Sequence, residues 1–231
     1  SSTASIIIAK ASQAAFTAST TKSSVTFGAT SGITVSGSGG STASTVTFSS
    51  ADTSVCTVAS TGVVTVLTTG SCVITAARAG NGNYLDVTSS VTITVNKASQ
   101  AAVSIVTNYT TGSYLDGRSY TATGSGGTTT GAFSYASNSV SVCTVDAATG
   151  AVTILAAGTC SITATRPGDA TYLDASATGT ITIAKIAQSA INATASDLAP
   201  AYTENPMATV QVSYTGGSST GAVSYSTTTP A

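Results

Sequence analysis

The stretch VCTVASTGVVTVLTTGSC, Val55–Cys72, returns later in the chain as VCTVDAATGAVTILAAGTC, Val142–Cys160. Each copy holds a Val/Thr-rich run, VVTVL or AVTIL, between two cysteines. β-Branched residues of this kind suit a pleated, half-buried surface, and the Gly and Ser between runs are turn material. Beyond the second cysteine, CVITA (Cys72–Ala76) and CSITA (Cys160–Ala164) put Cys72 with Ile74, and Cys160 with Ile162, on one face at period 2. VTITV, Val91–Val95, alternates in the same way, and no stretch carries a helical stripe.

Outward from this phrase the whole chain repeats. AKASQAA (Ala9–Ala15) recurs as NKASQAA (Asn96–Ala102) and as AKIAQSA (Ala184–Ala190), so that Lys10, Lys97 and Lys185 lie 87 and 88 residues apart. Cys56 to Cys143 is 87, whereas Cys72 to Cys160 and Tyr84 to Tyr172 are 88. The extra residue therefore falls in the turn before Gly62 and Gly150, where a surface loop tolerates it. A fixed period of this size marks tandem structural units. About seven short strands per unit, with turns at close spacing, predict an all-β fold of tandem immunoglobulin-like antiparallel β-sandwiches. The units are residues 10–96 and 97–184. Residues 1–9 read as the last strand of a preceding repeat, because SIIIAK matches TITVNK and TITIAK. Residues 185–231 read as the first half of a further repeat, since TGAVSYS (Thr220–Ser226) matches TGAFSYA (Thr130–Ala136). The chain thus reads as a section of a longer array.

Composition excludes several functions. Only 6% of the 231 residues are charged and the net charge is −1, against about 25% charged residues in an ordinary domain. Ser, Thr and Gly must supply the solubility, and nothing basic is clustered enough to hold nucleic acid or an anionic membrane. Histidine is absent, which removes the commonest general base and metal ligand. No lysine is paired with a candidate nucleophile, so no catalytic, cofactor-binding or metal-ligating residue is assigned. No apolar run is long enough to span a bilayer, and an export signal would lie outside this sequence.

The four cysteines, Cys56, Cys72, Cys143 and Cys160, show neither CxxC spacing nor an accompanying His, which argues against zinc. They read as disulfides, and no electropositive setting supports the redox-active alternative. Three pairings are possible; the repeat favours Cys56 with Cys72 and Cys143 with Cys160, one bond per unit. Strands on either side of a shared neighbour sit about 9.5 Å apart in one sheet, beyond the ~7 Å that a disulfide spans between Cα atoms. The bond is therefore expected to cross between sheets. Two such bonds place the chain in an oxidising compartment, extracellular or at the cell surface.

With GSCVITAARAGNGNYLD (Gly70–Asp86) and GTCSITATRPGDATYLD (Gly158–Asp174) in view, the chain resembles the bacterial Ig-like repeats that occur in tandem in large surface and secreted proteins. The resemblance implies an elongated chain whose partners are neighbouring repeats, copies of itself in a filament or layer, or a glycan or cell-surface ligand. Junctions in such arrays are often stiffened by calcium, but the eight acidic residues here are scattered and form no DxDxDG cluster. No cofactor is expected, and stiffness would come from disulfides and short junctions. The resemblance implies one of three roles: a structural stalk, filament or surface-layer segment; an adhesive module; or a non-catalytic appendage of a secreted enzyme.

Some residues stand outside the repeat's plain strand pattern. Arg78 with Asp86, and Arg166 with Asp174, read as ion pairs across a loop or as a contact with the next unit, and Tyr84 and Tyr172 as caps on the core. NYTTGSYLDGRSY, Asn108–Tyr120, departs most from its counterpart. Tyr114 aligns with Phe27 and Tyr120 with Ile33, which assigns both to the core, and leaves Tyr109 as the candidate ligand contact. Asn108 and Asn192 each begin an N-x-Thr glycosylation pattern.

Overall fold

The computed structural model describes residues 4–29, 31–195 and 211–226. The first repeat contains β1 (Phe16–Thr20), β2 (Ser24–Thr26), β3 (Val35–Gly39), β4 (Val46–Ser50), β5 (Cys56–Val58), β6 (Val64–Val66), β7 (Gly70–Arg78) and β8 (Val87–Asn96). One sheet runs β2-β8-β7-β4. The facing layer is β1-β3 and β5-β6, joined by the bridge between Thr34 and Val63.

The second repeat takes the same course through β9 (Val103–Thr107), β10 (Thr111–Ser113), β11 (Tyr120–Gly126), β12 (Ser134–Ser137), β13 (Cys143–Val145), β14 (Ala151–Ile154), β15 (Gly158–Arg166) and β16 (Ala175–Ala184). Its sheets are β10-β16-β15-β12 and β13-β14-β11-β9, the second of these being the continuous form of the divided layer in the first repeat. Each repeat is a β-sandwich without helices, as the alternating pattern requires. The eighth strand, beyond the seven read from the sequence, is the short β2 or β10. It leaves the layer of β1 or β9 and pairs in parallel with the end of β8 or β16 in the opposite sheet.

The period-2 pattern explains what is inside. Cys72, Ile74, Ala76 and Ile93 are fully buried in the first repeat, as are Cys160, Ile162, Ala164 and Ile181 in the second. The outward positions are occupied by hydroxyls that bond across strands: Ser19 with Ser36, Thr75 with Ser90, Ser104 with Ser125, and Thr163 with Thr178. These cross-strand pairs take the place of charge on a surface that has little of it.

The two cores differ by paired exchanges. Phe16 in the first repeat corresponds to Val103 in the second, while Val46 corresponds to Phe133, so the phenylalanine moves from the first strand to the region before β12. Val25 and Ile33 correspond to Gly112 and Tyr120: a Cβ on Gly112 would run into the Tyr120 hydroxyl. The larger ring therefore fills space vacated by the smaller neighbour. The turn that differs in length closes at Gly62, with φ 82°, and at Gly150, with φ 72°. In the longer version Asp146 accepts hydrogen bonds from the Ala148 and Thr149 amides and the Thr149 hydroxyl, which accommodates the extra residue.

Two further segments flank the repeats. Ile6, Ile7 and Ile8 are exposed and residues 4–10 form no strand; β8 and β16 each lie along a long antiparallel partner, and residues 4–10 have none among the described residues. After the second repeat, β17 (Ile191–Ala195) pairs with β18 (Val212–Gly216) in the register of β1 with β3 and β9 with β11. Ile191, Val212, Tyr214 and Tyr225 are exposed there.

Candidate functional site: the joint between repeats

The disulfides join Cys56 to Cys72 and Cys143 to Cys160, with Cα separations of 5.7 and 5.6 Å. Each links a strand of one sheet to a strand of the other, β5 to β7 and β13 to β15, through a fully buried position. Gly70 and Gly158, with φ of 132° and 145°, stand at the corner where the chain changes sheets. A closed loop of this length adds about 3 kcal/mol in the chain-entropy account. For cores built mainly of Val, Ile and Ala, that is a large share of the total.

The joint begins where β8 ends. Asn96 donates its side-chain amide to Ser24 Oγ at 2.8 Å, and its carbonyl accepts from the Phe27 amide at 2.9 Å, both within the first repeat. Lys97 already belongs to the second repeat, donating from Nζ to the Asp169 carbonyl at 2.6 Å. Ala98 then bonds in both directions to the loop carrying Tyr172, through the Thr171 carbonyl and the Leu173 amide. Across the joint, Thr69 Oγ1 donates to the Ala170 carbonyl at 2.6 Å, and the Tyr172 ring meets Phe27 edge-on at 6.1 Å.

The loop that reaches across is rigidly specified. Asp169 Oδ1 accepts the amides of Thr171 and Tyr172 and the Thr171 hydroxyl. These donors, the Thr171 amide first, hold its carboxyl below the ordinary value of 3.8. Gly168 leaves room for the Tyr172 carbonyl, which a Cβ would strike, and its amide donates to Asp174 Oδ1. Gln100 ties the loop to the start of the repeat. Its amide donates to the Arg166, Pro167 and Leu173 carbonyls, and its oxygen accepts from Thr128 and Thr129.

The loop corrects three readings made from the sequence. Arg78 and Arg166 do not pair with Asp86 and Asp174. Arg78 donates to the Thr42 carbonyl, Arg166 to those of Gly126 and Gly131, and the two guanidiniums lie over Phe16 and Phe133. Asp86 and Asp174 instead accept the amides of Gly80 and Gly168. Tyr172 reaches the preceding repeat, where the sequence suggested a cap on its own core. Nothing in local periodicity marks a contact between residues this far apart, although the shared position of Phe27 and Tyr114 hinted that an aromatic belongs there.

The stretch Asn108–Tyr120 folds into a second structured feature. Tyr120 is buried and donates to Asp116 Oδ2 at 2.5 Å. This bond, joined by the Ser113 and Arg118 amides and the nearby Arg118 charge, lowers the Asp116 pKa, and burial, with Asp116, raises that of Tyr120. Arg118 stacks over Tyr109 at 4.9 Å, and Tyr109 meets Tyr120 edge-on at 5.6 Å. Tyr109 is 41% exposed and Leu115, at φ 59°, is 75% exposed, beside a shallow cavity of about 380 Å³. Asn108 bridges Ser119 and Thr121 through its side-chain amide, whereas Asn192 lies exposed in β17. Among the described residues, no group of three or more His, Cys, Asp or Glu side chains could hold a metal ion.

Against known proteins, residues 117–171 match the model of the intimin immunoglobulin-like domain. No curated protein matches the chain. Among solved structures, domains 1–6 of the surface layer protein SbsC align at 17% identity and a TM-score of 0.29, over 80% of this chain and 30% of that one. SbsC domains 4 and 5 align at 20% identity and a TM-score of 0.28, over 75% of this chain and 100% of that one. Drosophila N-cadherin EC1–3 aligns at 11% identity and a TM-score of 0.29, over 74% of this chain and 64% of that one. This chain therefore spans less than a third of the six-domain surface-layer chain. The intimin-type match covers β11 to β15 with both cysteines of the second repeat, and the 88-residue recurrence carries the same unit into the first. The chain is thus a tandem of immunoglobulin-like β-sandwich repeats, the second of them similar to the intimin immunoglobulin-like domain, in a cell-surface or extracellular protein.

Proposed function

We propose that these repeats are a structural segment of a large bacterial surface protein, supplying length and stiffness. The observation that carries this reading is the lack of a free linker: Asn96 is bonded to the first repeat and Lys97 to the second. With neither Gly nor Pro between β8 and Ala98, the connection has none of the composition that lets domains swing. Low charge and hydroxyl-covered faces would also permit lateral packing into a fibre or layer. Small-angle scattering and electron microscopy of the chain test the reading. A rod of fixed inter-repeat angle supports it, and a broad distribution of bends rejects it.

The adhesive reading is favoured by one feature, the Tyr109, Leu115 and Arg118 cluster. At the matching positions the first repeat has Lys22, Gly28 and Ser31. Binding to a glycan array or to cell surfaces that disappears in Tyr109→Ala would support a ligand there. Binding that is absent, or indifferent to the substitution, would leave the cluster without that role.

A further inference from the structure

We infer that the seat formed by Phe27 and Thr69 is one instance of a recurring joint, and that Tyr84 and Tyr114 are complementary halves of it. Each half takes a further repeat of this same kind. The inference rests on the proposed structural role and names the residues through which the array is coupled.

Three observations carry it. The first concerns the loop that inserts. In the first repeat, Asn81 Oδ1 accepts the amides of Asn83 and Tyr84, as Asp169 does for Thr171 and Tyr172. Gly80, like Gly168, leaves room for the carbonyl of its tyrosine, and Ala11 is bridged to Tyr84 as Ala98 is to Tyr172. Gln13 ties this loop to residues 41–42 as Gln100 ties its own to residues 128–129. The loop around Tyr84 thus has the conformation of the seated loop although no preceding repeat is described against it. It is preformed, so docking costs little ordering entropy.

The second concerns the seat. Tyr114 occupies the place of Phe27, and its amide donates to the Ala184 carbonyl at 2.9 Å as the Phe27 amide does to Asn96. Ala157 stands where Thr69 does, so the seat on the second repeat keeps an aromatic ring and lacks the hydroxyl donor. The third concerns the chain after β16. Lys185 and Gln188 repeat Lys97 and Gln100, and the Ser189 amide donates to Ser218 Oγ as the amides of Ala14 and Ala101 donate to Ser41 and Thr128. This segment therefore enters a frame of the same design, one in which a tyrosine at the Tyr172 position would face Tyr114.

The occupant is specified in the same terms. The Tyr84 loop fits a preceding repeat with an aromatic at the Phe27 position, and the Tyr114 seat fits a further repeat with a tyrosine at the Tyr172 position.

The test uses the full chain and a longer one in which residues 97–184 are duplicated before Lys185. Both are labelled with 3-fluorotyrosine, and resonances are assigned by single Tyr→Phe substitutions. Fluorine NMR is expected to show the signal of the first Tyr114, the one followed by the added repeat, displaced in the longer chain by the incoming ring, and Phe27→Ala to displace the signal of the first Tyr172 in both. An unmoved signal from that first Tyr114, in a longer chain whose added repeat has formed its disulfide, would overturn the inference. Scattering on the same samples separates this from failure of the structural reading. A stiff longer chain with Tyr114 unmoved refutes the joint alone. Repeats that swing freely in both chains refute the joint and the stiff array together.

Discussion

Gly37 and Gly124 occupy matching places in the two repeats, and each leaves room for a different phenylalanine. A Cβ on Gly37 would meet the Phe16 ring at 2.6 Å, and one on Gly124 would meet Phe133 at the same distance. Gly124→Ala is expected to destabilise the second repeat by about 1–3 kcal/mol through overpacking and to leave the first unaffected. Urea unfolding monitored by probes specific to each repeat measures this. A second prediction concerns acid. Asp169 holds its loop with a carboxylate whose pKa lies below 3.8, so its contribution is complete above that value and is lost as the pH falls through the lowered one. Asn81 performs the same task without titrating. As the pH falls below 3.8 the Tyr172 amide resonance should therefore report a loosening loop, one that Asp169→Asn abolishes. The arginines show where a sequence stops being readable. Arg78 and Arg166 have acidic residues eight positions on, yet bond to carbonyls from distant turns, and backbone acceptors leave no mark on sequence.

At the scale of strands, the disulfides and the period-2 faces act together. Cys72 with Ile74, and Cys160 with Ile162, share buried faces, so the covalent link and the apolar contact stabilise the same pair of layers. Replacing Cys143 and Cys160 together by Ser is expected to cost the second repeat about 2–5 kcal/mol, seen as a separate unfolding transition at lower denaturant while the first repeat keeps its midpoint. A single coincident shift of both repeats would instead mean that the joint makes them one cooperative unit. The sandwich was legible because alternation and an internal repeat are strong signals. The crossing of β2 and β10 to the opposite sheet was not, since SVT and TGS are too short to carry a pattern. Tyr120 was legible as a core residue only through alignment with Ile33; its exchange with Gly112 needed the packed structure to see.

For the whole molecule, the joint separates orientation from stability. Thr69→Ala combined with Tyr172→Ala removes contacts between repeats while leaving the buried faces of each intact. The expected result is unchanged unfolding midpoints with residual dipolar couplings that no longer fit one common alignment for the two repeats. Couplings that still fit one alignment would show that the Asn96–Lys97 connection alone fixes the angle. A final consequence comes from the parallel pairing of β2 with β8, Ser24 opposite Thr94 and Thr26 opposite Asn96. When such a chain is pulled from its two ends, tension enters near β1 and leaves through the end of β8, so the parallel strands slide past one another. Their hydrogen bonds must then break together, where an antiparallel hairpin pulled at its open end would unzip one bond at a time. Once a repeat yields, the 16 residues of sequence separation closed by Cys56 and Cys72 cannot be drawn out, which shortens the released length by about 55 Å. Under the proposed structural role, each repeat would be loaded in shear, with the stretch between its cysteines held out of the extension by a covalent bond.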